Sequence, residues 1–178
     1  MDGVLTDWIS AVQALGVPWS DNPSKEEERA GYKAIADAGE PFWSEMKWLP
    51  DGQELWEFLK PYNPVLLSSP GKQGKFPLAS SGKMKWVKNN IPGATLILES
   101  DKFNYAEMDA ILIDDLQENV GAWKESGGIG ILHTDAASTR QKFLDVINQG
   151  NPVHLAEHIR WLAGQVILPR PIKGHHPH

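Results

Sequence analysis

The stretch DAILIDD, residues 109–115, decides how the rest of the chain is read. Ile111, Leu112 and Ile113 form an unbroken apolar run, far shorter than a membrane span and without the polar alternation of a half-solvated strand. Such a run marks a strand covered on both faces, as in a parallel sheet. It ends in Asp114 and Asp115. Two adjacent carboxylates at the end of a buried strand are costly unless positive charge compensates them. A hard divalent cation with oxygen ligands is the natural compensator, although capping of the next helix is an equally plain role for Asp115.

Outward from that point the texture is regular. NPVLLSSP (63–70), ATLILES (94–100) and GIGILHT (128–134) read as further buried strands. Between them lie helical patterns. Asp51 and Glu54 suggest a capping box ahead of Leu55, Trp56 and Leu59. GKMKWVKNNIPG (82–93) places Met84, Val87 and Ile91 at helical spacing, and Leu116, Val120 and Trp123 share a face of QENVGAWKESGG. STRQKFLDVINQG opens at Ser138 and turns Phe143, Leu144 and Ile147 inward, and NPVHLAEHIRWLAG (151–164) reads as a last helix. Strands alternating with helices predict an α/β protein with an open parallel sheet. Before Asp51 the pattern differs. Residues 8–48 are polar, rich in Trp, broken by Pro18, Pro23, Gly39 and Pro41, and show one clear helix, SKEEERAGYKAIADAG (24–39), with Ser24 as its cap. This is the pattern of a helical insertion.

The chain of 178 residues suits one domain with a small insertion. It has no cysteine, so disulfides, thiolate catalysis and Cys-based zinc sites are excluded. No run approaches the ~20 apolar residues of a membrane span, and no charged-then-apolar leader is recognised, so a cytoplasmic protein without a membrane partner is expected. The net charge of −6 argues against a duplex nucleic-acid partner, which requires many phosphate contacts. A small anion held by local cations remains open, and Lys72, Lys75, Lys83, Lys85 and Lys88 form a basic cluster in this acidic chain.

In open α/β sheets, ligands bind beyond the carboxyl ends of the strands. The residues there are Ser68 and Ser69, Glu99 and Ser100, Asp114 and Asp115, and His133 and Thr134. Hydroxyls, a lysine and an aspartate pair converging on one crevice suit a phosphoryl group.

Asp2-Gly3-Val4-Leu5-Thr6-Asp7, VLLSSP, GKMKWV and ILIDD, in this order, resemble the four motifs of the haloacid dehalogenase-like (HAD) phosphatases. Phe42-Trp43 ahead of EMKWLPDG, the Lys-x-x-Trp-Val helix start and ILESDK are similar to features of the 5'(3')-deoxyribonucleotidases within that superfamily. The likeness spans roughly residues 2 to 134. It implies a Rossmann-like core over residues 1–7 and 49–168, a small helical cap at 8–48 and a flexible tail at 169–178. It implies a magnesium-dependent phosphomonoesterase whose substrate is a small phosphorylated metabolite, foremost a deoxyribonucleoside monophosphate. Asp2 would be the general acid/base and would also face magnesium through its carbonyl. Ser68 and Ser69, with Gly3 of the first motif, would hold the phosphoryl group, Lys83 would balance its charge, and Asp114, supported by Asp115, would bind the metal. Phe42 and Trp43 would stack on a nucleobase or, equally, pack cap against core. A homodimer would cover a site that so small a cap leaves partly open.

One departure stands out. The first motif of these enzymes is Asp-x-Asp-Gly, whose first aspartate attacks phosphorus. If Asp2 is the second aspartate, the nucleophile and the central strand that carries it would lie immediately before Met1. The expectation is an enzyme of which this sequence is a shortened version. The alternatives are a catalytically dead relative that binds nucleotide or phosphate, and a polynucleotide 3'-phosphatase. HLAEH (154–158) matches a metalloprotease signature, but no acidic residue follows Glu157 to complete a metal site, and a solvated helix face is the better reading.

Overall fold

A computed structural model describes residues 1–20, 22–71 and 75–149. The expected helix over 151–164, the HLAEH motif and the tail at 169–178 lie outside the described residues, as does Lys72 of the basic cluster. The chain is mixed α/β, with short parallel strand pairs and abundant helix. It begins with helices α1 (Trp8–Gln13), α2 (Lys25–Ala38), α3 (Glu40–Ser44) and α4 (Gly52–Leu59). Strand β1 (Val65–Ser68), helix α5 (Ala79–Asn90), β2 (Thr95–Leu98), β3 (Ile111–Asp114), α6 (Gln117–Glu125), β4 (Ile129–Leu132) and α7 (Ala136–Gln149) follow.

All four strands form where uninterrupted aliphatic runs occur, and each is parallel to its partner. β1 pairs with β2 in the register Leu66↔Leu96, and β3 pairs with β4 in the register Leu112↔Gly130. The two pairs are separate two-stranded sheets, so the single open sheet expected from the sequence is divided in two among the described residues. Near this division lies the start of the chain. Met1, Val4 and Leu5 are buried, and the Met1 carbonyl accepts the amides of Val4, Leu5 and Thr6 in a tight turn. Thr6 then bridges to Trp48, and the Leu49 amide donates to the Leu5 carbonyl at 2.8 Å, which ties the first residues to the segment ahead of α4.

Residues 8–48 are helical, as expected. α2 begins with a full capping box: Ser24 Oγ accepts the Glu27 amide, and the Glu27 carboxylate accepts the Ser24 amide at 2.7 Å. The aromatic residues around α2 pack edge to face, Trp8 on Trp19 and Phe42, and Phe42 on Trp43, which in turn meets Phe76 before α5. α3 lies so close to α5 that a Cβ on Gly82 would sit 2.4 Å from Trp43 Cβ and 2.9 Å from the Glu40 carbonyl. Gly82→Ala is therefore expected to force the two helices apart at a cost of about 1–3 kcal/mol. Thermal denaturation should show a fall in Tm of several degrees, and an unchanged Tm would contradict this packing.

Three expectations about helices are corrected. Asp51 and Glu54 do not form a local capping box. Asp51 Oδ2 instead accepts the Ala136 amide at 2.6 Å and Glu54 pairs with Arg140 at 2.5 Å, so both carboxylates fasten α4 to α7. α7 starts two residues before Ser138 because Asp135 accepts the Ser138 amide at 2.7 Å. Met84 and Leu116, expected to face inward, are 60% and 55% exposed. On α5 the inward face is Ala79, Gly82, Lys83, Trp86 and Val87. Among the described residues no helix is long and apolar enough to cross a membrane.

Candidate functional site

β1 ends at Ser68, where the chain leaves the sheet toward the start of α5. Ser68 is 2% exposed, and so is Lys83, which the inward face of α5 directs at the strand end. The Lys83 ammonium is fully engaged: Nζ lies 2.7 Å from Asp2 Oδ2, 3.1 Å from Ser68 Oγ and 2.7 Å from the Ser69 carbonyl. Its three protons thus match three oxygens, and the Trp43 ring centroid lies 5.0 Å away as an apolar wall. A lysine this buried is tolerable only because its charge is paired and its donors are satisfied.

Asp2 is held by the other side of the same turn. Its Oδ1 accepts the hydroxyl of the fully buried Thr6 at 3.1 Å. Burial alone would push its pKa up, but Lys83, the nearby terminal ammonium and the Thr6 hydroxyl outweigh that and hold it below the usual carboxylate value. Gly3 follows with φ of +73°, and a Cβ there would meet Asp115 Oδ2 at 2.1 Å, so glycine is needed both for the turn and for the approach of Asp115.

β3 delivers Asp114, 2% exposed, at its carboxyl end. Asp114 Oδ2 pairs with Lys102 Nζ at 2.5 Å, while Oδ1 accepts the Leu116 amide at 3.0 Å and Asn119 Nδ2 at 2.8 Å. Asp115 has its pKa raised, first by burial and then by the charge of Asp114. The two clusters meet at the chain start. The buried α-amino group of Met1 feels the charges of Asp2, Lys102, Lys83 and Asp114, and its pKa is lowered, chiefly by burial.

Of the residues expected to act, Asp2, Gly3, Ser68, Lys83, Asp114 and Asp115 are brought into one neighbourhood. Ser69 lies at its rim, where its Oγ accepts the Gly71 amide and lies 3.5 Å from Ser100 Oγ. Phe42 and Trp43 are 7% and 4% exposed and packed among aromatic neighbours, so they wall the site rather than offering an open ring face. His133 is buried with Nδ1 2.8 Å from Thr139 Oγ1, and burial lowers its pKa, which makes it a neutral structural partner of α7. Lys102, Thr6 and Asn119 belong to the site and were not assigned from the sequence. Lys102 carried a signal, since ILESDK places a cation shortly before the strand that ends in the aspartate pair.

No group of three acidic or histidine side chains able to hold a metal occurs among the described residues. Magnesium needs no such cage, being held by one or two carboxylates with water and phosphate oxygens. Asp114 and Asp115 offer a pair of hard oxygen donors, but Asp114 is engaged by Lys102, the Leu116 amide and Asn119 much as the Asp2 carboxylate is by Lys83 and Thr6, so magnesium would take Asp114 Oδ2 in place of Lys102 and would meet Asp2 through its carbonyl. No family model matches the chain, and no curated protein matches it.

Proposed function

We propose that the chain is a magnesium-dependent phosphomonoesterase of the HAD type, acting on a small phosphorylated metabolite, foremost a deoxyribonucleoside monophosphate. The observation that carries this reading is the Lys83 ammonium bound at once to Asp2, Ser68 and the Ser69 carbonyl. A buried cation beside a hydroxyl and a carboxylate provides a seat for a phosphoryl group, with a proton-transfer group next to it. Held below the usual carboxylate range, Asp2 is ionised at neutral pH, the form that takes a proton from an attacking water. A phosphoryl group that drew Lys83 toward itself would raise the Asp2 pKa and supply the form that protonates a leaving alkoxide.

In this reading an aspartate immediately before Met1 attacks phosphorus, and the leaving oxygen takes a proton from Asp2. Water then gives a proton back to Asp2 as its oxygen attacks the phosphorus of the aspartyl phosphate, releasing phosphate and the free aspartate. Asp114 and Asp115 would hold magnesium, which supplies neutralisation of phosphoryl charge when bound. The split between the β1–β2 and β3–β4 pairs supports a Rossmann-like core in which a preceding strand lies between them. A second reading, a phosphate-binding module without turnover, is favoured by the lysines that already compensate Asp2 and Asp114. Phosphate release from a panel of deoxynucleotides, measured with magnesium on the 178-residue chain and on a chain extended upstream, separates the two. Turnover in the extended chain supports the enzyme. Binding of phosphate without turnover in either supports the module.

A further inference from the structure

We propose that the exposed face of α2 is a track for the phosphate backbone of single-stranded nucleic acid. A groove of about 380 Å³ runs along this helix, lined by Lys25, Glu28, Arg29, Tyr32, Lys33 and Lys75. Lys25, Arg29 and Lys33 recur at every fourth residue and are all exposed. With the rise of an α-helix, successive cations stand about 6 Å apart along its axis. Lys75 reaches in from the segment before α5, its Nζ 5.0 Å from the Tyr32 ring centroid. Four cations and one carboxylate, Glu28, thus line the groove, with Asp37 beside Lys33 at its end, in a chain whose net charge is −6.

A merely solvated helix face has no need of this pattern. Like charges four residues apart repel, and this face carries two such steps in succession. Lys33 also pairs with Asp37 at 2.5 Å, but both side chains are largely exposed, and such a surface pair yields readily to a competing anion. A strand that presents one phosphate per nucleotide meets each cation without any demand on its sequence. The groove also connects to the anion seat through rings: Tyr32 to Phe76 at 5.7 Å, Phe76 to Trp43 at 5.5 Å, and Trp43 to Lys83 at 5.0 Å. Tyr32 among these cations supplies the pairing of ring and positive charge that single-strand binding uses, which favours a nucleic acid over an acidic peptide. A duplex would require more contacts than one helix face offers. The inference does not rest on ester hydrolysis, since it concerns binding alone.

The test is fluorescence anisotropy of a labelled 12-nucleotide single-stranded DNA with the full chain, in EDTA so that no turnover occurs. Three to four phosphate contacts should give a slope of log K against log salt of about −2 to −3. The variant Lys25→Gln/Arg29→Gln/Lys33→Gln should weaken binding at least about tenfold and flatten that slope. Arg29→Gln alone should show part of the loss, and the charge-matched control Lys47→Gln/Lys60→Gln/Lys88→Gln should bind as the parent does. Circular dichroism melts confirm that each variant is folded. The proposal is overturned by absence of saturable binding at 50 mM salt, where phosphate contacts are strongest, or by parent-like binding of the triple variant. It is equally overturned if poly-glutamate or a duplex of the same length competes as well as the unlabelled single strand.

Discussion

In the chain extended upstream, Asp114→Asn is expected to abolish magnesium-dependent phosphate release and to lower the unfolding free energy by about 3–5 kcal/mol. The substitution keeps the shape and leaves Oδ1 with its two donors, the Leu116 amide and Asn119. It replaces Oδ2 by an amide nitrogen facing Lys102 Nζ, a side chain only 11% exposed. A buried ammonium is then left beside a second donor, which is the costly half of breaking a buried pair. Turnover should fall by at least about a hundredfold, because the negative charge that would hold the metal is gone. Lost stability could by itself mimic lost chemistry, so Lys102→Gln is added to the same chain. The paired amides of the double variant should restore most of the stability in urea denaturation and none of the phosphate release. Recovery of activity with stability would mean that Asp114 serves only the fold.

Lys83→Met is the second large effect, and it has a pH signature. Met fills the space of the lysine stem but leaves Asp2, 22% exposed at its side chain, without its cation. With Lys83 in place the folded pKa of Asp2 lies below its unfolded value. The pair therefore contributes stability above about pH 3.9, and the contribution is lost as pH falls through the lower folded value. At pH 7 the variant should be less stable than the parent by about 3–5 kcal/mol. At pH 3, where Asp2 becomes protonated in the variant and in the unfolded chain, the difference should shrink. A gap that is the same at both pH values would show that Lys83 stabilises through packing rather than through Asp2. In the active enzyme the same change should weaken phosphate affinity and move the acid limb of the pH–rate profile upward, since the upward push of burial on the Asp2 pKa would lose its chief opponent.

Strand positions were readable because continuous aliphatic runs have few other uses in a chain of this size, and all four runs became parallel strands. Facing was harder to read. On α5 the spacing of Met84, Val87 and Ile91 places Val87 and Ile91 correctly inward, but Met84 is exposed and the buried stripe continues through Lys83 and Trp86. Hydrophobic spacing cannot reveal an inward lysine, because the feature that permits its burial is a set of oxygens from Asp2, Ser68 and Ser69, remote in sequence. Asp51 and Glu54 had the spacing of a local cap but found better partners on α7, a tertiary contact that no short window contains. The motif residues Asp2, Ser68, Lys83 and Asp114 were legible as candidates from their order and their places at strand and helix ends. Lys102, Thr6 and Asn119 were not, since each acts by bonding to one of those candidates.

The most direct test of the central claim is release of inorganic phosphate from 2'-deoxyribonucleoside 5'- and 3'-monophosphates, with and without magnesium. It compares the 178-residue chain with one extended upstream. Metal-dependent release by the extended chain alone is the expected result. Release by the shorter chain at the same rate would contradict the assignment of the attacking aspartate, and absence of release from both would contradict the assignment of a phosphoester-cleaving site.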